Sequence, residues 1–231
     1  LIKVARDIDR HEIQNLSIDI ALEGDFDAIH KEGDNSLCLP TDTMKNTVYA
    51  LAGETREIEE VEAFGIRLAS YLLTNNEQVR RVRLNLAEHG WKRIKVEDGE
   101  HDHSFVRGSA EKRVALIDST RENTTVQSGV EDLIVLKTTR SGFAGFPRDK
   151  YTTLPEATDR IFSTAIKAVW RYETPRAATD HVFHAIRQTI IEIFAAHDSL
   201  SVQHTLYAMG EAVLERFSEI LEISFSLPNI H

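Results

Sequence analysis

Apolar residues in this chain recur at two spacings, and the alternation between those spacings lays out the fold. Leu16, Ile18, Ile20 and Leu22 alternate with polar residues between Ile13 and Leu22, the mark of an antiparallel strand with one wet face. A shorter strand-like run, Ile2 to Arg6, precedes it. From about Thr43 the spacing turns helical, with Met44, Val48 and Leu51 on one face. Glu57 to Leu73 then reads as a longer amphipathic helix through Ile58, Val61, Phe64, Leu68 and Leu72. Period two returns at Val82, Leu84 and Leu86, and again from Phe105 to Ile117. The second half repeats this grammar. Leu133 to Lys137 and Ala168 to Tyr172 read as strands. Val182, Ile186, Ile190 and Ile193 form one helical stripe, Val202, Leu206, Met209, Val213 and Phe217 another, and Leu221 to Leu227 a last strand. Gly142 to Pro147 reads as a loop, with a short helix expected after it, capped by Thr153 and opened by Pro155. No partner strand follows Leu227, so the chain is expected to continue past His231. The pattern predicts an α+β protein of two similar units, 1–122 and 123–231, each an antiparallel sheet of four strands with two helices on one face. Open edges on such a sheet predict self-association.

Composition narrows the function. A hydrophobic fraction of 42% over 231 residues is enough to bury a core, and a net charge of −10 with pI near 5.5 argues against nucleic acid as the main partner. Any anionic ligand must then meet a local positive site. No apolar run reaches the length of a membrane span, so no membrane partner is expected. The single cysteine, Cys38, allows no intrachain disulfide and is expected as a small buried residue. His101-Asp102-His103 and the pair His181 and His184 have spacings a metal could use, but neither set brings further ligands nearby in sequence, so solvated surface is expected at both. Arg80-Arg81-Val82-Arg83 alternates as the wet face of a strand would.

The candidate chemistry starts at Thr41-Asp42-Thr43-Met44-Lys45-Asn46-Thr47-Val48-Tyr49. A hydroxyl and a carboxylate stand there at the mouth of a helix, where unpaired N–H groups and the helix dipole favour an anion or a water. Taken locally, Thr41 or Asp42 serves equally well as a plain N-cap.

That stretch resembles the threonine-aspartate segment of the urate oxidase (uricase) family. Further matches follow in the family's order: Gly-Phe-Ala-Gly-Phe-Pro-Arg-Asp-Lys-Tyr-Thr-Thr-Leu at 142–154, Thr-Asp-Arg-Ile at 158–161, Ser-Val-Gln-His-Thr-Leu-Tyr at 201–207 and Ser-Leu-Pro-Asn-Ile-His at 226–231. The resemblance implies two tandem tunnelling-fold (T-fold) units per chain, barrels closed by dimers, a homotetramer, and sites at subunit interfaces. It implies oxidation of urate with O2 as co-substrate and no cofactor or metal, in a bacterial cytoplasm or a eukaryotic peroxisome.

The resemblance also implies roles residue by residue. Phe143 would stack on the flat purine, Arg160 would donate a two-pronged guanidinium, and Gln203 would meet one edge beside the backbone of Val202. Asn229 and His231 would hold oxygen species and pass protons. Thr41 would belong to a proton relay, with Asp42 fixing its loop or meeting the purine. Without the family, Arg160 reads as a helical ion pair with Glu156, Phe143 and Val202 as core, and Gln203 as a solvated first-turn residue. Ile230 departs from the family, which usually has lysine there and so more local charge. The family's threonine works with a lysine from a Tyr-Gly-Lys segment just before the first strand. No residue of this sequence matches it, Lys3 and Lys45 being the nearest. That lysine is expected upstream of Leu1, and residues 1–231 alone are expected to oxidise urate slowly. Two alternatives stay open: T-fold pterin and purine enzymes, which hold the heterocycle with a glutamate where this chain has Gln203, and a purine-binding T-fold without catalysis.

Overall fold

The computed structural model describes residues 1–6, 9–97, 99–228 and 230. Its frame is a seven-stranded antiparallel sheet whose strand order follows the chain: β1 Ile2–Ala5, β2 Glu12–Gly24, β3 Val79–Val96, β4 Gly99–Thr120, β5 Thr124–Lys137, β6 Phe162–Tyr172 and β7 Ile220–Ser226. Helices interrupt this meander twice. α1 Asp27–Lys31, α2 Thr41–Glu54 and α3 Val61–Asn75 lie between β2 and β3, and α4 Asp180–Ala196 and α5 Val202–Arg216 between β6 and β7. β4 and β5 pair from Lys112 opposite Glu131 to Ser119 opposite Thr124, so the two halves form one continuous sheet.

The alternation explains which face is covered. On β3, Val79, Val82, Leu84 and Leu86 are buried, while Arg80 and Arg83 turn to water and pair with Asp25 and Glu23. The basic run is therefore a solvated strand face knitted to its acidic neighbours. α3 lays Phe64, Leu68 and Leu72 on that sheet, and does so closely: a Cβ at Gly65 would stand 2.8 Å from Ile117 Cγ1. α4 buries Phe183, Ile186, Ile190 and Phe194, α5 buries Met209 and Val213, and Trp170 of β6 lies fully buried, donating to Tyr172 Oη at 3.0 Å.

Three local expectations are corrected. α3 begins at Val61, which leaves Ile58 outside it, because the residues before it are engaged elsewhere. The Glu59 carbonyl accepts from Gln14 Nε2 at 3.0 Å, and Glu60 Oε1 receives the first amide of α4, that of Asp180, at 3.1 Å. No helix follows the Gly142–Pro147 loop. The amides of Ala157 and Arg160 donate to Phe143 O (3.0 Å) and Ser141 O (2.6 Å), so the strand-like pairing takes the groups a helix would need. Cys38 is exposed, in the turn before α2 that its own amide closes on Asn35 O at 3.0 Å.

A buried polar cluster joins the halves. Arg113 of β4 donates to the fully buried Glu62 of α3 and, at 2.5 Å, to Asp180 of α4, and its guanidinium lies 4.3 Å from the Phe183 ring centroid. Ser128 of β5 adds a hydrogen bond to Glu62. Beside this cluster, burial pushes the carboxyl of Glu88 above its ordinary value of 4.5, against the pull of Arg113. The folded state therefore holds the Glu88 proton more tightly than the unfolded chain. Its contribution to stability is fully present below the ordinary value and is lost as pH rises through the raised one. Glu88→Gln is thus expected to raise the thermal midpoint at about pH 7 and to have little effect at about pH 4. An equal change at both pH values would contradict the assignment.

Candidate functional site

The Gly142–Pro147 loop, the segment before β6 and the start of α5 form a small knot at one end of β5. Ser141 bridges Ser199, and Gly142 N donates to Ser199 O at 2.7 Å while Ser199 N donates to Arg140 O at 2.9 Å. Across the loop, Phe143 N donates to Ala157 O at 2.7 Å and receives the Ala157 amide in return. Asp159 locks the crossing, accepting from Thr139 Oγ1 at 2.6 Å and from Ser141 N at 3.3 Å, and these donors hold its carboxyl below the usual range.

This knot brings together residues far apart in sequence. The Arg160 guanidinium carbon lies 5.6 Å from the Phe143 ring centroid, and Phe143 itself stacks on Phe146 at 4.9 Å with planes 13° apart. Glu156 makes no ion pair with Arg160 among the described residues, and Arg160 stands exposed in an extended segment rather than on a helix. Ser199 leads directly into α5, where Ser201 is the N-cap, accepting from His204 N at 3.1 Å. Val202 and Gln203 are the first two residues of the helix, so their N–H groups have no intrahelical acceptor. Val202 is half-buried against the core, and Gln203 is exposed. The loop that carries Phe143 and the segment that carries Arg160 are thus tied through Ser199 to the residues that lead into the first turn of α5.

Thr41 and Asp42 lie elsewhere on the chain. Thr41 is the first residue of α2, with Pro40 at the N-cap position and no side-chain cap, so the plain capping role is excluded for both. Asp42 holds Lys45 at 2.9 Å and accepts from Asn46 Nδ2 at 2.9 Å. Chiefly through Lys45, its carboxyl is held below the usual range. Both residues are exposed, and among the described residues no hydrogen bond, ion pair or ring contact links them to Phe143, Arg160, Val202 or Gln203.

Neither nearby lysine is placed as a relay partner for Thr41. Lys3 donates to Thr55, just past the far end of α2, about 20 Å along the helix from Thr41. Lys45 is bound to Asp42, which raises its pKa, the wrong direction for an amine that must give up a proton near neutrality.

Asn229 and His231 lie outside the described residues. Of the described residues beside them, Pro228 O accepts from Thr164 Oγ1 at 2.8 Å, and Ile230 N donates to Ser163 O at 3.2 Å, three residues on from Arg160. Among the described residues no group of three or more metal-ligating side chains converges, and no helix is long and apolar enough to cross a membrane.

Reasoning from sequence missed Asp159 and Lys137. Asp159 sits inside the Thr-Asp-Arg-Ile segment at 158–161, directly before Arg160. Lys137 carried a signal of its own, since it falls in step with Leu133 and Val135, at a helix-facing position where a charge is out of pattern.

The profile of the uricase family matches residues 2–118 and 126–231. The uricase of Arthrobacter globiformis is 43% identical over 231 residues, all of this chain and 74% of that protein, and the uricase of Dictyostelium discoideum is 38% identical over 96% and 77%. Among solved structures, the crystal structure of uricase from Arthrobacter globiformis superposes with a TM-score of 0.94 at 44% identity, covering all of this chain and 78% of that one. A uricase from Bacillus fastidious gives 0.86 at 30%, covering 94% and 72%.

Proposed function

The chain belongs to the uricase family, with its tandem T-fold, and on that footing we propose that it oxidises urate with O2 and water to 5-hydroxyisourate and hydrogen peroxide. Two electrons leave the urate ring for O2, which takes up two protons as peroxide, and water supplies the hydroxyl of the product. The reducing power is the substrate's own, so the reaction calls for no organic cofactor or metal. The protein's part is orientation, exclusion of water and proton traffic.

The observation that supports this reading is the Arg160 guanidinium beside the Phe143 ring, on a loop whose backbone is tied at Ser199 to the segment leading into α5. In this reading, Phe143 stacks on the purine, Arg160 donates in plane to carbonyl and ring acceptors, and Gln203 pairs with the opposite edge beside the Val202 amide. Asn229 and His231 serve the oxygen side. Thr41 and Asp42 come from a neighbouring subunit, since their own chain leaves them exposed and apart from the purine residues, and a homotetramer supplies that neighbour. Decay of urate's ultraviolet absorbance, matched mole for mole by peroxide and unaffected by a chelator, tests the chemistry. Urate left unchanged, or turnover abolished by the chelator, would overturn it.

A further inference from the structure

Lys137, the last residue of β5, points to the same side of the sheet as Leu133 and Val135, towards the helices. Its ammonium donates to His197 O at 2.7 Å and to Phe194 O at 3.4 Å, the carbonyls at the C-terminal end of α4, and lies 5.4 Å from the Phe194 ring centroid and 6.0 Å from that of Phe162. Burial lowers its pKa, with Arg140 adding to the effect and Asp198 opposing it. A methionine would fill that space without the cost of desolvating a charge, so the ammonium's use lies in the carbonyls it holds. Helix ends leave carbonyls without intrahelical donors and carry partial negative charge, which an ammonium answers.

What those carbonyls lead into gives the contact its meaning. His197 is followed by Asp198, which pairs with Arg140, and by Ser199, which exchanges backbone hydrogen bonds with Arg140 and Gly142. Arg140 itself is held at φ 59, a left-handed conformation that a non-glycine residue keeps only when its surroundings impose it. The segment 197–199 is thus the shared wall between the loop that carries Phe143 and the helix start that carries Gln203. His197 Nδ1 also meets the fully buried Thr205 Oγ1 at 3.1 Å, one turn into that helix.

We infer that Lys137 is a positioning residue for urate: by pinning the end of α4 it sets the spacing between the Phe143 loop and the first turn of α5. The inference rests on the binding role proposed above for Phe143, Arg160 and Gln203. The test compares Lys137→Met and Lys137→Arg with native protein and with a core control, Leu72→Ala, on α3. Lys137→Met is expected to raise the KM for urate about tenfold with kcat changed less than about threefold, because a shifted wall weakens positioning without touching the reacting atoms. Lys137→Arg, which keeps a donor to both carbonyls, is expected to recover most of the native KM, and Leu72→Ala to lower the thermal midpoint and leave KM unchanged. An unaltered KM in Lys137→Met, or a rise in KM that follows the midpoint across all variants, would overturn the inference. Should Lys137→Met fail to fold, Lys137→Gln replaces it under the same criteria. Absence of urate turnover in native protein is a different outcome, and it strikes the proposed function itself.

Discussion

Arg160→Lys is expected to raise the KM for urate about 30- to 150-fold, equivalent to ~2–3 kcal/mol, the range measured when a charge-assisted hydrogen bond is lost. Lysine keeps the charge but offers no planar fork, so one in-plane acceptor of the purine is left buried without a donor. Gln203→Ala is expected to act in the same direction, because it removes a donor and an acceptor from the opposite edge. Both side chains are exposed in the single chain, so the thermal midpoint should hold. Urate affinity measured anaerobically separates binding from turnover. Native affinity in either variant would mean that the purine does not lie where Phe143 and Arg160 meet.

Glu62→Leu is expected to be the most damaging substitution for stability, at about 3–5 kcal/mol, because it strands the Arg113 guanidinium in a buried site. Glu62 is fully buried and takes hydrogen bonds from Arg113 and Ser128, while Asp180, the other carboxylate on Arg113, is half exposed and no substitute. At about 2–4 °C per kcal/mol for chains of this size, the thermal midpoint should fall by about 10 °C. The double variant Glu62→Leu with Arg113→Met should recover much of that loss, since it removes the unpaired charge along with its partner. A double variant as unstable as the single one would show that shape, and not charge, holds this joint.

The main lines of the fold were legible because burial imposes a period. Leu16 to Leu22 of β2, the α3 stripe and the α4 stripe each announced the face they bury. The candidate site residues were legible only through matched segments, since Phe143, Arg160 and Gln203 have ordinary alternatives when taken singly. Non-local pairing was hidden. The helix expected after Pro147 fails because Ala157 finds Phe143, and nothing within that segment signals so distant a partner. The joint between halves was hidden for the same reason: Arg113 reaches Glu62 and Asp180 across 51 and 67 positions, and each residue alone reads as solvated charge. At Thr41 the capping reading fails on a single neighbour, since Pro40 occupies the cap position. Cys38 was misread because composition favours burial of cysteine, while its place in a turn puts it in water.

The most direct test of the account joins two inactive chains. Thr41→Ala and Arg160→Ala proteins, each without turnover, are unfolded together and reassembled so that subunits mix at random. A site built from Thr41 of one subunit and Arg160 of its neighbour is then intact in about a quarter of cases, so about a quarter of native urate oxidation should return. Turnover in the mixed oligomers no greater than the sum of the two separate proteins would place the whole site within one chain and contradict the account.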